Sequence, residues 1–185
     1  MQPVRDVSAP ASRACGLSWM LLILSLSMGC GPEGQQTPEH LPVTIERGDE
    51  CHVCGMIIVD FPGPKGEVYT RTVGRRALKF CSTRDLFAFI LEPDTKPHVK
   101  EIYVHDMGNT GWDSPADRAL VSARSAWYVV GHARRGAMGP TLASFAQKAD
   151  AENFVQAFGG RVLDFEAIDL EVLASMNTRR MGEPR

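Results

Sequence analysis

The segment Cys51-His-Val-Cys54-Gly-Met56 concentrates more reactive chemistry than any other part of the sequence. Two cysteines separated by two residues can turn both sulfurs onto one ion, because a tight knuckle presents them on the same side. The thioether of Met56 tilts the set toward Cu(I), which prefers soft sulfur ligands. Thiolates alone suit Zn(II) equally well, and His52 could add an imidazole. Other readings compete. Cys51 and Cys54 could close a disulfide in an oxidising compartment. They could form a thioredoxin-like redox pair, although such pairs sit at a helix N-terminus and here a β-leaning Gly-Met-Ile-Ile-Val run follows. They could also be half of a structural zinc site. The chain has no second C-x-x-C, so completing that site would take Cys81 and a histidine. Cys81 is either a third soft ligand at a strand–helix junction or a small buried residue, the usual fate of a free cysteine.

A second candidate lies in Gly136-Ala-Met-Gly139. Methionines at helical spacing form cores, whereas Met138 stands alone among loop glycines and is read as a ligand. His132, six residues upstream in the same loop, is a weaker candidate. His105 and Met107 could be a further soft pair or simply a strand end and a loop. His40 and His98 read as surface residues. The sequence shows no Ser-His-Asp order, phosphate loop, dinucleotide fingerprint or paired carboxylates.

The elements that must position these groups follow from pattern. The knuckle leads into an expected strand ending near Asp60, and Pro62 to Gly66 is a turn. Val68 to Val73 and Ala77 to Phe80 are strands. Ser82, three residues ahead of Asp85 and just before an apolar run, marks a helix start, and Pro93 closes that helix. Strands are expected over 102–104, 126–130, 142–145 and 161–165. Asp150 is expected to cap a helix over 151–158 that Gly159-Gly160 ends, and a last helix covers 168–176. Both parts run strand, short strand ending in phenylalanine (Phe80, Phe145), helix, which suggests an internal repeat of about 65 to 70 residues. The fold class is therefore α+β, with two small similar units spanning about 43–105 and 106–176. Their Met-bearing loops would meet at one site, and a frayed tail would cover 177–185.

The N-terminus reads as an address. Arg5 and Arg13 precede a 12-residue apolar run, Leu17 to Met28, and Gly29-Cys30 ends it. That run is too short for a bilayer span, which needs roughly 20 residues, and its flanks describe a secretory signal. A cysteine just after the cleavage point resembles a lipoprotein signal over 1–29, with Cys30 lipidated; Ser27 stands where that pattern prefers leucine. Residues 30–42 read as a flexible Gly/Pro/Gln tether. With Cys30 committed to lipid, Cys51, Cys54 and Cys81 form an odd set, and a bound soft metal would keep all three reduced. The formal net charge of −2, from 20 basic and 22 acidic residues, gives no basic excess for gripping nucleic acid.

Together, Cys51-His-Val-Cys-Gly-Met56, Lys79-Phe-Cys-Ser-Thr-Arg-Asp-Leu-Phe87, Trp127-Tyr-Val-Val-Gly131, Ala137-Met-Gly139 and Phe158-Gly-Gly-Arg-Val-Leu163 resemble the NosL family of nitrous oxide reductase accessory lipoproteins. The similarity covers Glu46 to about Ile168. It implies two similar α+β halves and a Cu(I) chaperone serving assembly of the copper centres of nitrous oxide reductase. It leaves open a second metal such as Zn(II). It implies a lipid anchor facing the periplasm, with Gly31 leaning toward outer-membrane sorting. The matching metal residues are Cys54, Met56 and Met138, with Cys51 and His132 as weaker transfers. The family's second loop often reads Gly-Pro-Met-Gly; here Ala137 replaces the proline and Pro140 follows the glycine.

Overall fold

A computed structural model of the chain describes residues 38–178. The expected signal segment, Cys30, most of the tether and the tail from 179 onward lie outside those residues. Two antiparallel sheets organise the fold. The first contains β1 (Gly66–Thr70), β2 (Leu78–Phe80), β3 (Val99–His105) and β4 (Leu120–Ser122) in the order β2-β1-β3-β4. The second contains β5 (Trp127–Val130), β6 (Ala143–Phe145) and β7 (Arg161–Leu163) in the order β6-β5-β7. Helix α1 (Thr83–Leu91) connects β2 to β3, α2 (Lys148–Phe158) connects β6 to β7, and α3 (Leu170–Thr178) follows β7. Each sheet thus has the same strand–strand–helix–strand path with its first strand in the middle. Phe80 stands opposite Gly66 in one sheet and Phe145 opposite Trp127 in the other, so each phenylalanine pairs with the first residue of the central strand.

Helix α1 begins where the sequence indicates. Ser82 is extended and its hydroxyl accepts from the Asp85 N–H at 3.1 Å, satisfying one of the amides a helix start leaves free. Its buried side chains Leu86, Phe87 and Ile90 pack with Val68, Phe80, Ile102 and Val104 of the first sheet. The same core takes in Tyr128 and Val130 of β5 and Ile168, Val172, Leu173 and Met176 from the C-terminal segment. One apolar core therefore joins the halves. The opposite face of the second sheet, through Val129, Ala143 and Phe145, packs on α2 with Trp112 and Phe154.

Four expectations need correction. Residues 57–60 are not a strand: Ile57 makes one isolated bridge to Glu50 and the chain then turns. The β-branched run serves to bury Ile58 against the knuckle rather than to extend a sheet. Helix α2 starts at Lys148 after Gln147, which makes no side-chain cap; Asp150 sits in the first turn, where a negative charge suits the helix dipole. Strand β4, unforeseen, joins the edge of β3. Finally, residues 38–42 are not free tether, and His40 is only 8% exposed.

Those residues begin a strap laid over the outer face of the first sheet. The His40 ring stacks on Tyr69 at 4.7 Å and meets Glu101 at 3.1 Å. Tyr103 donates to the His40 carbonyl and Tyr69 to the Leu41 carbonyl, while the Val43 N–H donates to Glu67. Lys79 donates to the Thr44 carbonyl and pairs with Asp49. Side chains thus satisfy backbone groups that no strand partner reaches. The strap ends at Ile45, buried against Cys51, Ile58 and Cys81.

Candidate metal centre

The knuckle forms because the backbone between the cysteines folds onto itself. The Cys51 N–H donates to the Met56 carbonyl and the Gly55 N–H to the Cys51 carbonyl, both at 2.8 Å. Gly55 has φ 71, a conformation that favours glycine. The His52 N–H donates to the Lys79 carbonyl, which fastens the knuckle to β2. Strand β2 then delivers Cys81 at its end, directly before the Ser82 cap. Cys51, Cys54, Cys81 and Asp85 consequently converge, with one ligand atom from each lying within 4.8 Å of all the others.

The Sγ atoms of Cys54 and Cys81 are 3.6 Å apart, and the Cys81 thiol donates to Asp85 Oδ2 at 3.3 Å. All three cysteines are free thiols. Cys51 and Cys81 are buried while Cys54 and Asp85 are half-buried, so the cluster opens to solvent on the side of Cys54 and Asp85. Hydrogen bonds from the Cys81 thiol and from backbone amides of Cys81, Cys54 and Val53 favour the Cys51 thiolate, against the opposing effect of burial. The neighbouring Cys51 sulfur and burial both push the Cys81 thiol up. A three-sulfur, one-oxygen set suits a thiophilic ion such as Cu(I) or Zn(II).

The second half reaches this cluster through one loop. Met56, Phe61 and Ala137 pack around the buried core of Ile45, Cys51, Ile58 and Cys81. Met138, next to Ala137, is 49% exposed. The loop is held close by two devices. Gly63 lies so near that a Cβ there would stand 3.0 Å from the Gly136 Cα. The Thr83 hydroxyl donates to the Leu142 carbonyl at 2.6 Å and meets the Thr141 hydroxyl at 2.9 Å, tying the first turn of α1 to the start of β6.

The other expected residues lie apart from the sulfur cluster. His132 is held edge-on between Trp112 and Phe154, at 5.3 and 5.1 Å. Both its ring nitrogens are buried without a hydrogen-bond partner, and burial pushes its pKa down to about 4. His105 is buried beside Lys65, whose N–H donates to Nδ1 at 3.3 Å, whereas Met107 packs in the second cluster with Val129 and Phe145. His52 is exposed and edge-on to Phe89. The thioredoxin-like arrangement also lacks its helix, since it is Cys81, not the Cys51/Cys54 pair, that stands at a helix start. Asp85 is the member of this cluster that sequence reading missed. Its spacing of four from Cys81 was the available signal, because residues i and i+4 share a helix face.

Residues 42–173 match the family model for NosL. A copper-binding lipoprotein NosL from Stutzerimonas stutzeri is 44% identical over 163 residues, covering 88% of this chain and 84% of the relative. One from Achromobacter cycloclastes is 40% identical over 139 residues, covering 72% of this chain and 70% of the relative. The crystal structure of the copper chaperone NosL from Shewanella denitrificans superposes with a TM-score of 0.71 at 48% identity, covering 72% of this chain and 99% of that one. The family model over residues 42–173 and a relative 44% identical over 88% of this chain show that the chain belongs to the NosL family.

Proposed function

We propose that the protein is a copper chaperone that binds Cu(I) and hands it to a partner without turnover chemistry. The observation that carries this reading is the convergence of three free thiols from two separate elements in one half-open cluster, in a chain whose relatives are named as copper-binding lipoproteins and a copper chaperone. Cys51, Cys54 and Cys81 supply thiolates, with Met56 and Met138 at the rim as thioethers. Cys54 is the more exposed sulfur, so an incoming thiolate, thioether or imidazole attacks from its side. Transfer then proceeds by stepwise ligand exchange through a shared intermediate. The recipient is the machinery that builds the copper centres of nitrous oxide reductase. A lipid on Cys30 holds the chaperone to a membrane facing the periplasm, the outer membrane by the residue that follows the cysteine. Zn(II) competes for the same donors, since Asp85 adds an oxygen that zinc accepts.

An anaerobic Cu(I) titration against a strong chelator, with Zn(II) in parallel, tests the proposal. Tight binding near one copper per chain is expected. Cys54→Ser should lower affinity by roughly 100-fold or more and Met138→Ala by about tenfold, on the scale of lost ligands and supporting contacts, with the fold retained. A parent protein that does not compete for Cu(I) but cycles a Cys51–Cys54 disulfide overturns the chaperone reading in favour of a thiol–disulfide oxidoreductase. Unfolding on zinc removal would instead mark a zinc-stabilised module.

A further inference from the structure

The two ends of the first sheet differ in kind. Phe80 pairs with Gly66 and leads straight into Cys81, so the sulfur cluster stands at one end. The other end is the tip of the β1–β2 hairpin, which begins beyond Thr70, about 13 Å along the strand. The tip reads Arg71-Thr-Val-Gly-Arg-Arg76, and no acid occurs from Val68 to Arg84. All six tip residues are exposed, and apart from its chain neighbours nothing lies within 4 Å of where a Cβ on Gly74 would stand. The tip therefore projects into solvent, with the apolar Val73 between arginines. Arg71 is braced: its N–H donates to the His98 carbonyl and its guanidinium to the Pro97 carbonyl, which brings exposed Lys96 and His98 to the same end. Among the described residues Arg75 and Arg76 make no ion pair. Of the acids at this end, Glu39 pairs with Lys100 and Glu101 with His40. Glu50 shares a recess with Arg76, and Glu92 and Asp94 precede Lys96. The chain also enters the fold here. The Glu39 N–H donates to Glu101 at 3.0 Å, two residues along β3 from Val99, the partner of Thr70. Pro38 lies eight residues after Cys30, a span of at most about 28 Å. The second half gives the contrast. Its corresponding hairpin, from β5 to β6, also has two arginines, but Arg134 pairs with Asp113 and lies over Trp112 and Phe158.

We infer that the tip of the β1–β2 hairpin is a membrane-docking surface: Arg71, Arg75 and Arg76 rest on anionic phospholipid headgroups with Val73 between them, and the sulfur cluster is turned away from the bilayer. The inference rests on the lipid anchor proposed above, not on the identity of the metal. An arginine beside an anionic leaflet is worth about fivefold in binding. A short anchored tether makes that contact intramolecular, so few charges suffice to hold one orientation. Docking at this end leaves the open side of the cluster free for a recipient.

The test uses the lipidated chain in phosphatidylcholine bicelles with and without phosphatidylglycerol, doped with a lipid whose headgroup carries chelated gadolinium. Amide NMR signals broaden where the protein lies on the headgroups. With phosphatidylglycerol present, amides of residues 71–76 should broaden several-fold more than those of 51–56 and 136–139. Val73→Asp combined with Arg75→Glu should lower docking by roughly 100-fold, three charges at about fivefold each, while the knuckle signals keep their positions. Arg75→Lys should leave docking in place. Equal broadening at the two ends overturns the inference and leaves the anchor intact. So does tip broadening that is the same in pure phosphatidylcholine or that survives the double variant. Tip signals that instead shift with protein concentration mark a contact between copies of the chain, and also overturn it. A chain that attaches to neither bicelle overturns the anchor and the inference together.

Discussion

The two halves of the molecule share a path and differ in what stands at the turn into the helix. In the first half that turn reads Phe80-Cys81-Ser82, and in the second Phe145-Ala146-Gln147. Each is followed by an aspartate in the first helical turn, Asp85 and Asp150. In the first half the aspartate meets the Cys81 thiol. In the second it lies against Gly108, where a Cβ would come within 2.6 Å of its carboxylate, and the Ala146 N–H donates instead to Asp106. The lesson is that the scaffold offers the same acid twice, and a sulfur beside it decides whether it can serve a metal. The second half then contributes the loop that bears Met138 and an aromatic cage rather than thiols.

Removing that difference should have the largest effect. Cys81→Ala makes the first junction resemble the second, and chelator competition should show Cu(I) affinity falling by more than roughly 100-fold, beyond what loss of a supporting contact costs. The reciprocal Ala146→Cys should add no second copper equivalent, because no knuckle faces it. Next, Thr83→Val cuts the tie between the halves. It leaves the buried Leu142 carbonyl without its donor, and a denaturant midpoint should report a loss of about 1–3 kcal/mol.

Two smaller effects depend on pH and separate the polar face of the first sheet from the aromatic cage of the second half. Burial raises Glu67 from 4.5 to about 7. The stability it contributes is present below pH 4.5 and is lost as pH rises through about 7. Glu67→Gln retains an acceptor for Val43, so its melting temperature should exceed the parent's by several degrees at pH 8 and by less at pH 5. His132 shifts the other way, from 6.5 to about 4. Its contribution is complete above pH 6.5 and is lost as pH falls through about 4. His132→Phe should therefore narrow the drop in melting temperature between pH 7 and 5 by a few degrees.

Much of this was legible without coordinates where one short pattern had one physical outcome. Ser82 and Asp85 marked the start of α1, Gly159-Gly160 the end of α2, and the Cys51–Cys54 spacing the knuckle. The order of elements in the two parts anticipated the strand–strand–helix–strand path that both sheets follow. What stayed hidden depended on distant partners. Leu120-Val-Ser122 is a strand because β3 offers it an edge, not because of any alternation of its own. His40 is buried because Tyr69 and Glu101 receive it. Asp85 was explained by its place in the helix start, and that sufficient explanation concealed its second contact with Cys81. Cys81 itself could be assigned only once β2 was seen to end beside the knuckle.

The core that joins the halves has a kinetic consequence. It is built from Phe87, Tyr128, Ile90 and Met176 and their neighbours, none of which donates to metal, so the thiols are gathered by folding rather than by the ion. In the proposed chaperone, uptake would then require no search for a closed conformation, and the entropy of collecting donors would be settled before the metal arrives. In the chaperone proposed above, the exchange rate would be left to the sulfur at the open edge, where an entering ligand displaces a departing one while the remainder of the cluster stays in place.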